Sequence, residues 1–240
     1  MERNYLKKTE SACVLSPKMA KFLTRVTVGF HAEADFMNRC FPHSMLLRLP
    51  SISTKITVID FAAQAFGKPC PFPVFVDDEN VVAEDVCIIK NGRVKGCMTN
   101  RELAAKMRLP LTGNARIPSL GAGPEIYMRN TALLPWKDSF SSMLESVDNG
   151  FYLVDGHGAE GDESGEYACH VTEGYQIRNG IICEPIYNYV VWGDGIDFLT
   201  SISMVGDDFT WFKETFEDRP LAPQAFGAPT ITARVNIEKY

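Results

Sequence analysis

Tyr175-Gln176-Ile177-Arg178-Asn179-Gly180-Ile181-Ile182-Cys183 is two apolar-rich runs meeting at Asn-Gly. A two-residue type I′ turn needs positive φ at both central positions, and Asn followed by Gly tolerates that best, so the stretch predicts a β-hairpin. The same signal stands earlier, in Val86-Cys87-Ile88-Ile89-Lys90-Asn91-Gly92-Arg93-Val94-Lys95-Gly96-Cys97. Two such hairpins make an antiparallel sheet the expected core. Outward from them, the β-branched run Ile56-Thr57-Val58-Ile59-Asp60-Phe61 predicts a strand, and further strands are expected near 151–154, 166–178, 181–192 and 231–237. Ser16-Pro17 followed by Met19, Phe22, Leu23, Val26 and Phe30 reads as an N-cap, a proline in the first turn and an apolar stripe at helical spacing, giving a helix to about His31. Asn100 caps a short helix to Met107, and another is expected over 139–149, stopped by Gly150 in a left-handed conformation. The pattern is α+β: an antiparallel sheet-rich single domain over residues 1–240, with a few flanking helices and a loosely packed N-terminal arm.

The 240 residues carry 30 acidic and 24 basic side chains and are 45% hydrophobic, which is ordinary for a folded domain. Charge is unevenly placed: residues 1–137 hold 19 bases and 12 acids, residues 138–240 hold 5 bases and 18 acids. An acidic half of that strength repels a phosphate backbone, so no nucleic-acid partner is expected, and a cationic ligand or basic partner surface suits it better. No apolar run reaches membrane-spanning length and the start, with Glu2, Arg3, Lys7 and Lys8, does not read as a signal peptide, so no membrane partner and a cytoplasmic location are expected. The seven cysteines are scattered, with no C-x-x-C pair, and read as reduced thiols rather than a disulfide framework or zinc knuckle.

Several constellations bear on chemistry. The stretch Thr112-Gly113-Asn114-Ala115-Arg116 to Pro124 lacks the spacing of a dinucleotide or phosphate loop and reads either as a binding loop, with Asn114 and Arg116 as donors, or as a structural turn. The run Asp155-Gly156-His157 to Glu166 opens and closes on acids like a calcium loop, but His157 and Ala159 stand at the third and fifth positions and Glu160 where glycine is required. His157 and His170, with Asp155 and Glu163, are the candidates for an acid-base pair. His31, near Glu33 and Asp35, reads as a ligand or a helix-end cation. No metalloprotease, serine-hydrolase or cysteine-nucleophile motif is present.

A series of short motifs runs in order along the chain: Val14-Leu15-Ser16-Pro17, Glu33-Ala34-Asp35-Phe36, the hairpin Ile88 to Gly96, Pro110-Leu111-Thr112-Gly113-Asn114-Ala115-Arg116, Met128-Arg129-Asn130-Thr131, Ser146-Val147-Asp148-Asn149-Gly150, Glu173-Gly174-Tyr175 and Gly227-Ala228-Pro229-Thr230. Together they resemble the C-terminal domain of the TldD/PmbA family, peptidase-type proteins also labelled modulators of DNA gyrase and associated with maturation of the peptide antibiotic microcin. The resemblance implies the family fold and a peptide-handling cleft, with Asn114, Arg116, Arg129, Asn130 and Glu173 as substrate-binding residues. Metal-bearing members bind zinc through H-E-x-x-x-H on the first helix and a cysteine near the C-terminus. An ungapped alignment puts Arg25, Val26 and Phe30 at the helix positions and Thr215 near the cysteine position. No metal, no cofactor and no hydrolysis by the family's zinc route are therefore expected.

The function this implies is a metal-free, non-proteolytic accessory factor, chaperone-like or gatekeeping. It would bind a peptide-like or amino-acid-derived small molecule or a partner enzyme in natural-product (antibiotic) biosynthesis, of which the indolmycin pathway is an example of the kind. Two alternatives stay open: an enzyme using the His157, His170, Glu163 and Asp155 set for cyclisation or hydrolysis, and the inactive subunit of a TldD/TldE-type hetero-oligomeric peptidase. A homo-oligomer, with a homodimer as its simplest form, is expected, and Trp136, Trp192 and Trp211 are candidates either for its contact surface or for core packing.

Overall fold

Both Asn-Gly pairs turn hairpins in the computed structural model, which describes residues 10–217 and 220–240. Asn91 and Gly92 have φ of 48° and 75°, and Asn179 and Gly180 have 51° and 75°, the double left-handed step of the type I′ turn. The strands that build the two main sheets are β1 (Glu10–Leu15), β2 (Val58–Phe61), β3 (Val86–Lys90), β4 (Arg93–Val94), β5 (Asn130–Leu133), β6 (Asn149–Gly161) and β7 (Glu166–Arg178), then β8 (Ile181–Ile186), β9 (Tyr189–Asp194), β10 (Met204–Val205), β11 (Thr210–Glu214), β12 (Gln224–Ala228) and β13 (Ile231–Lys239). The first sheet runs β1-β6-β7-β9-β13, and β13 pairs back onto β1, so these strands close a ring; β8 and β10 attach at its rim. The second sheet is open, in the order β11-β12-β5-β2-β3-β4.

Helix α1 (Pro17–Thr24) lies between the sheets, against β6 on one side and β12 and β5 on the other. Ser16 caps it, its Oγ accepting from the Met19 amide at 3.2 Å. The expected apolar stripe is what it buries: Met19, Ala20 and Leu23 are fully enclosed and join Leu15, Val28, Ile88, Leu153 and Phe226 in the main core. The helical path continues through wider turns at Arg25–Gly29 and a tight turn at Phe30–Ala32, so its end agrees with the sequence reading.

The structure corrects two local expectations. The helix placed over 139–149 is only Phe140–Glu145, and Gly150 lies inside β6 rather than in a left-handed stop. Glycine is needed there because a Cβ would sit 2.0 Å from the Ala12 carbonyl oxygen across the β1–β6 pairing. The run 181–192 is interrupted at Asn188, whose φ is 60°, and so divides into β8 and β9, which continue in one direction antiparallel to β7. The sheet-rich α+β class stands, while the expected N-terminal arm at residues 1–9 lies outside the described residues.

Candidate functional site

The face of the helical segment that meets the second sheet carries Lys21 and Arg25, one turn apart. The Arg25 guanidinium carbon sits 4.6 Å from the Phe30 ring centroid, 4.5 Å from that of Phe216 and 5.5 Å from that of Phe226. The fold thus brings together the helix positions Arg25 and Phe30 and the strand-end neighbourhood of Thr215, which the resemblance assigned to metal ligands. It fills the place with a cation among aromatic faces, an arrangement attractive in itself. A guanidinium is permanently charged and donates only, so it offers zinc no lone pair, and phenylalanine has none to offer. Among the described residues no group of three or more His, Cys, Asp or Glu side chains is placed to hold a metal ion. The residues present do not fit a zinc ion.

Beside this cluster Lys21, 4% exposed, pairs with Glu214 at the end of β11. Burial, followed by repulsion from Arg25 and Lys18, pushes its ammonium down to about 8. Glu214 lies opposite Gln224 in the β11–β12 ladder, and Gln224 is fully buried with neither end of its amide hydrogen-bonded. Sequence reasoning missed Lys21, Glu214 and Gln224. The signal available was Lys21 at four residues before Arg25 on a recognised helix; nothing local marks a partner nearly two hundred residues away.

His31 is 1% exposed, edge-on to Phe36 at 4.9 Å, with its Nδ1 unpartnered. Burial lowers its pKa to about 4, with Arg48 adding to the shift and Asp162 and Asp194 opposing it. Protonation is favoured in the unfolded chain first, so stability falls as pH drops from the unfolded value near 6.5 through 4. The expected loss is ~3 kcal/mol, and His31→Gln flattens it; chemical unfolding of both proteins at pH 7 and pH 4.5 checks this.

The other sequence candidates separate into two groups. Arg129 and Asn130 are wholly buried and tie the second sheet to its loops. The Arg129 Nε donates to Asp60 at 2.8 Å, and its two terminal nitrogens donate to the carbonyls of Thr112, Gly113, Glu84 and Asp60. Asn130 donates to the Phe61, Ala62 and Phe72 carbonyls and accepts from the Phe72 amide. Asn114, also fully buried, donates to Asp60 and the Tyr127 carbonyl, leaving its Oδ1 unpartnered. Arg116 faces solvent more, donating to the Leu221 carbonyl at 3.2 Å with Asp78 3.5 Å away. Glu173 accepts from the Tyr175 hydroxyl on the first sheet, away from that group.

His157 and His170 are cross-strand neighbours on β6 and β7, stacked at 5.3 Å, with Tyr240 edge-on to His170 at 5.1 Å. Their proposed carboxylate partners are engaged elsewhere: Asp155 with Lys18 at 2.5 Å, Glu163 within 3.9 Å of Arg39. Most of the calcium-like run, 155–161, is the end of β6, and the rest is the tight turn into β7, in which Asp162 accepts from the Ser164 and Glu166 amides. Of the tryptophans, Trp136 is 42% exposed, while Trp211 packs between Phe209 and Phe61.

Residues 9–238 match the family model described as the PmbA/TldA metallopeptidase C-terminal domain. A zinc metalloprotease TldD homolog from Saccharolobus solfataricus is 33% identical over 200 residues, 83% of this chain and 44% of that protein. A metalloprotease TldD homolog from Buchnera aphidicola is 37% identical over 134 residues, 55% of this chain and 28% of that protein. The chain thus spans less than half the length of these relatives. TldE from Thermococcus kodakarensis superposes with a TM-score of 0.76 at 18% identity, covering 97% of this chain and 51% of that one. A Thermotoga maritima protein described as a modulator of a DNA gyrase superposes equally well, at 0.76 and 19% identity, covering 98% and 51%. With the family model matching residues 9–238, the chain belongs to the PmbA/TldD family.

Proposed function

We propose that this chain is a non-hydrolytic binding member of its family, which holds a peptide-like or amino-acid-derived molecule or a partner enzyme without zinc chemistry. The observation that carries the reading is the Arg25 guanidinium, stacked on Phe30 and Phe216 where metal ligands would stand. A cation fixed there repels a divalent ion and removes the water activation on which hydrolysis by the family's route depends. An accessory, chaperone-like or gatekeeping part in natural-product biosynthesis, in the cytoplasm and as a homo-oligomer, is the setting this reading favours. The inactive-subunit alternative predicts a metal-bearing relative as a co-purifying partner. For the acid-base alternative, the engagement of Asp155 and Glu163 by Lys18 and Arg39 leaves His157 and His170 without a carboxylate relay.

Native mass spectrometry of the protein equilibrated with zinc and then desalted tests the reading. The expected result is a metal-free species, together with no cleavage of an unstructured peptide. A stoichiometric zinc adduct that survives desalting would return the chain to the peptidases.

A further inference from the structure

On the outer face of the second sheet lies a preformed cleft of about 410 Å³, remote in sequence from the Arg25 cluster and lined by Lys55, Thr57, Ile59, Cys87, Lys90 and the segment Leu134-Pro135-Trp136, with Asn91 at its edge. That volume falls within the range of small-molecule sites, which are mostly apolar with a few placed polar groups. The floor is rigid because Ile59 and Cys87 are direct partners in the β2–β3 ladder. One wall is the type I′ turn, held by the Asn91 amide donating to Thr57 Oγ1 at 3.1 Å. The other is pinned at both ends, the Leu134 amide donating to the Thr57 carbonyl at 2.9 Å and the Trp136 amide to the Gly206 carbonyl at 2.7 Å. Such walls need little ordering when a ligand enters, which lowers one of the entropic costs of binding.

The charges of the lining have one sign. It contains two lysines and no acid, and they play different parts. Lys55 is held by Asp138 at 2.7 Å and by the Ser203 carbonyl at 3.2 Å, so its charge is largely spent inside the chain. Lys90 is exposed at the hairpin edge and stands at the cleft mouth as a cation. At the opposite wall Trp136 keeps 42% of its surface in water, an arrangement that exposes an amphipathic ring to whatever enters.

We propose that this cleft binds a small amphipathic anion, its planar apolar body over Ile59, Cys87 and Leu134 against Trp136 and its carboxylate or sulfonate on Lys90. Neither the expected peptide-handling residues nor the Arg25 cluster contributes to it, so it stands or falls independently of the non-hydrolytic reading.

The test uses 8-anilinonaphthalene-1-sulfonate as the probe, titrated by calorimetry into the wild-type protein, Lys90→Glu and Trp136→Ala. The neutral analogue N-phenyl-1-naphthylamine is the second arm, followed by its fluorescence because of its low solubility. Saturable one-to-one binding is expected, weakened at least tenfold by Lys90→Glu, by Trp136→Ala and by loss of the sulfonate. Lys90 is on the surface, and unchanged circular dichroism and unfolding midpoint for that variant separate binding from folding. Equal affinity in the wild type and both variants would show that the probe adheres to other exposed apolar side chains and overturns the proposal, as would the absence of saturable binding.

Discussion

Replacing Arg129 with methionine is expected to lower the stability of the fold by about 3–5 kcal/mol, a large share of what a domain of this size commonly has. Arg129 and Asp60 are both fully buried, 2.8 Å apart. Removing the guanidinium leaves an enclosed carboxylate held, among the described residues, by the Arg129 amide, the Thr131 hydroxyl and the Asn114 amide. It also takes a charged donor from the carbonyls of Thr112, Gly113 and Glu84, of which Thr112 keeps the Glu84 amide at 3.2 Å. Urea unfolding followed by circular dichroism measures the effect, and a loss under about 1 kcal/mol would contradict the assignment of Arg129 as an internal tie. Adding Asp60→Asn to the same protein should recover part of the loss, because the uncompensated charge is then gone. One consequence is practical. Loss of function in an Arg129 variant reports unfolding, so Arg116, which is less enclosed, is the residue whose replacement probes ligand contact.

Gly150→Ala is the second large effect. Its new Cβ would stand 2.0 Å from the Ala12 carbonyl oxygen and 2.8 Å from a Val147 methyl. The first obstacle is backbone in the parallel β1–β6 pairing, where Ala12 lies opposite Gly150, so no rotamer relieves it and the strands must part. A loss of about 3 kcal/mol or more is expected, at or beyond the usual upper end for overpacking. Gly123→Ala, where nothing lies within 4 Å and φ is not left-handed, serves as the control and should change stability by no more than about 0.5 kcal/mol. Similar unfolding midpoints for the two variants would refute the steric argument.

The order of elements was legible because its signals are local. Asn91-Gly92 and Asn179-Gly180 tolerate the positive φ that a tight hairpin turn demands and most pairs do not, and Ser16-Pro17 supplies a cap and a preset φ for a helix start. The family resemblance was legible for the same reason, since it rests on short motifs in order. The errors came where the deciding contact was distant. Gly150 looks like a helix stop in one dimension and is a close-approach residue in three, since Ala12 is far from it in sequence.

The candidate site divides along the same line. That Arg25 and Phe30 cannot ligate zinc follows from their chemistry alone, and the sequence determined it. That the cation is ringed by Phe30, Phe216 and Phe226, with Lys21 neutralised by Glu214, was decided only when β11 and β12 folded onto α1. Likewise, nothing in the sequence distinguishes Arg116 from Arg129; burial does, because one guanidinium keeps access to water while the other exchanges it for Asp60 and a set of carbonyls. Residue type and short-range spacing fix which chemistry a chain lacks and where it turns. Which charges face each other and which are enclosed depends on pairings across the whole chain, and only the tertiary structure sets those.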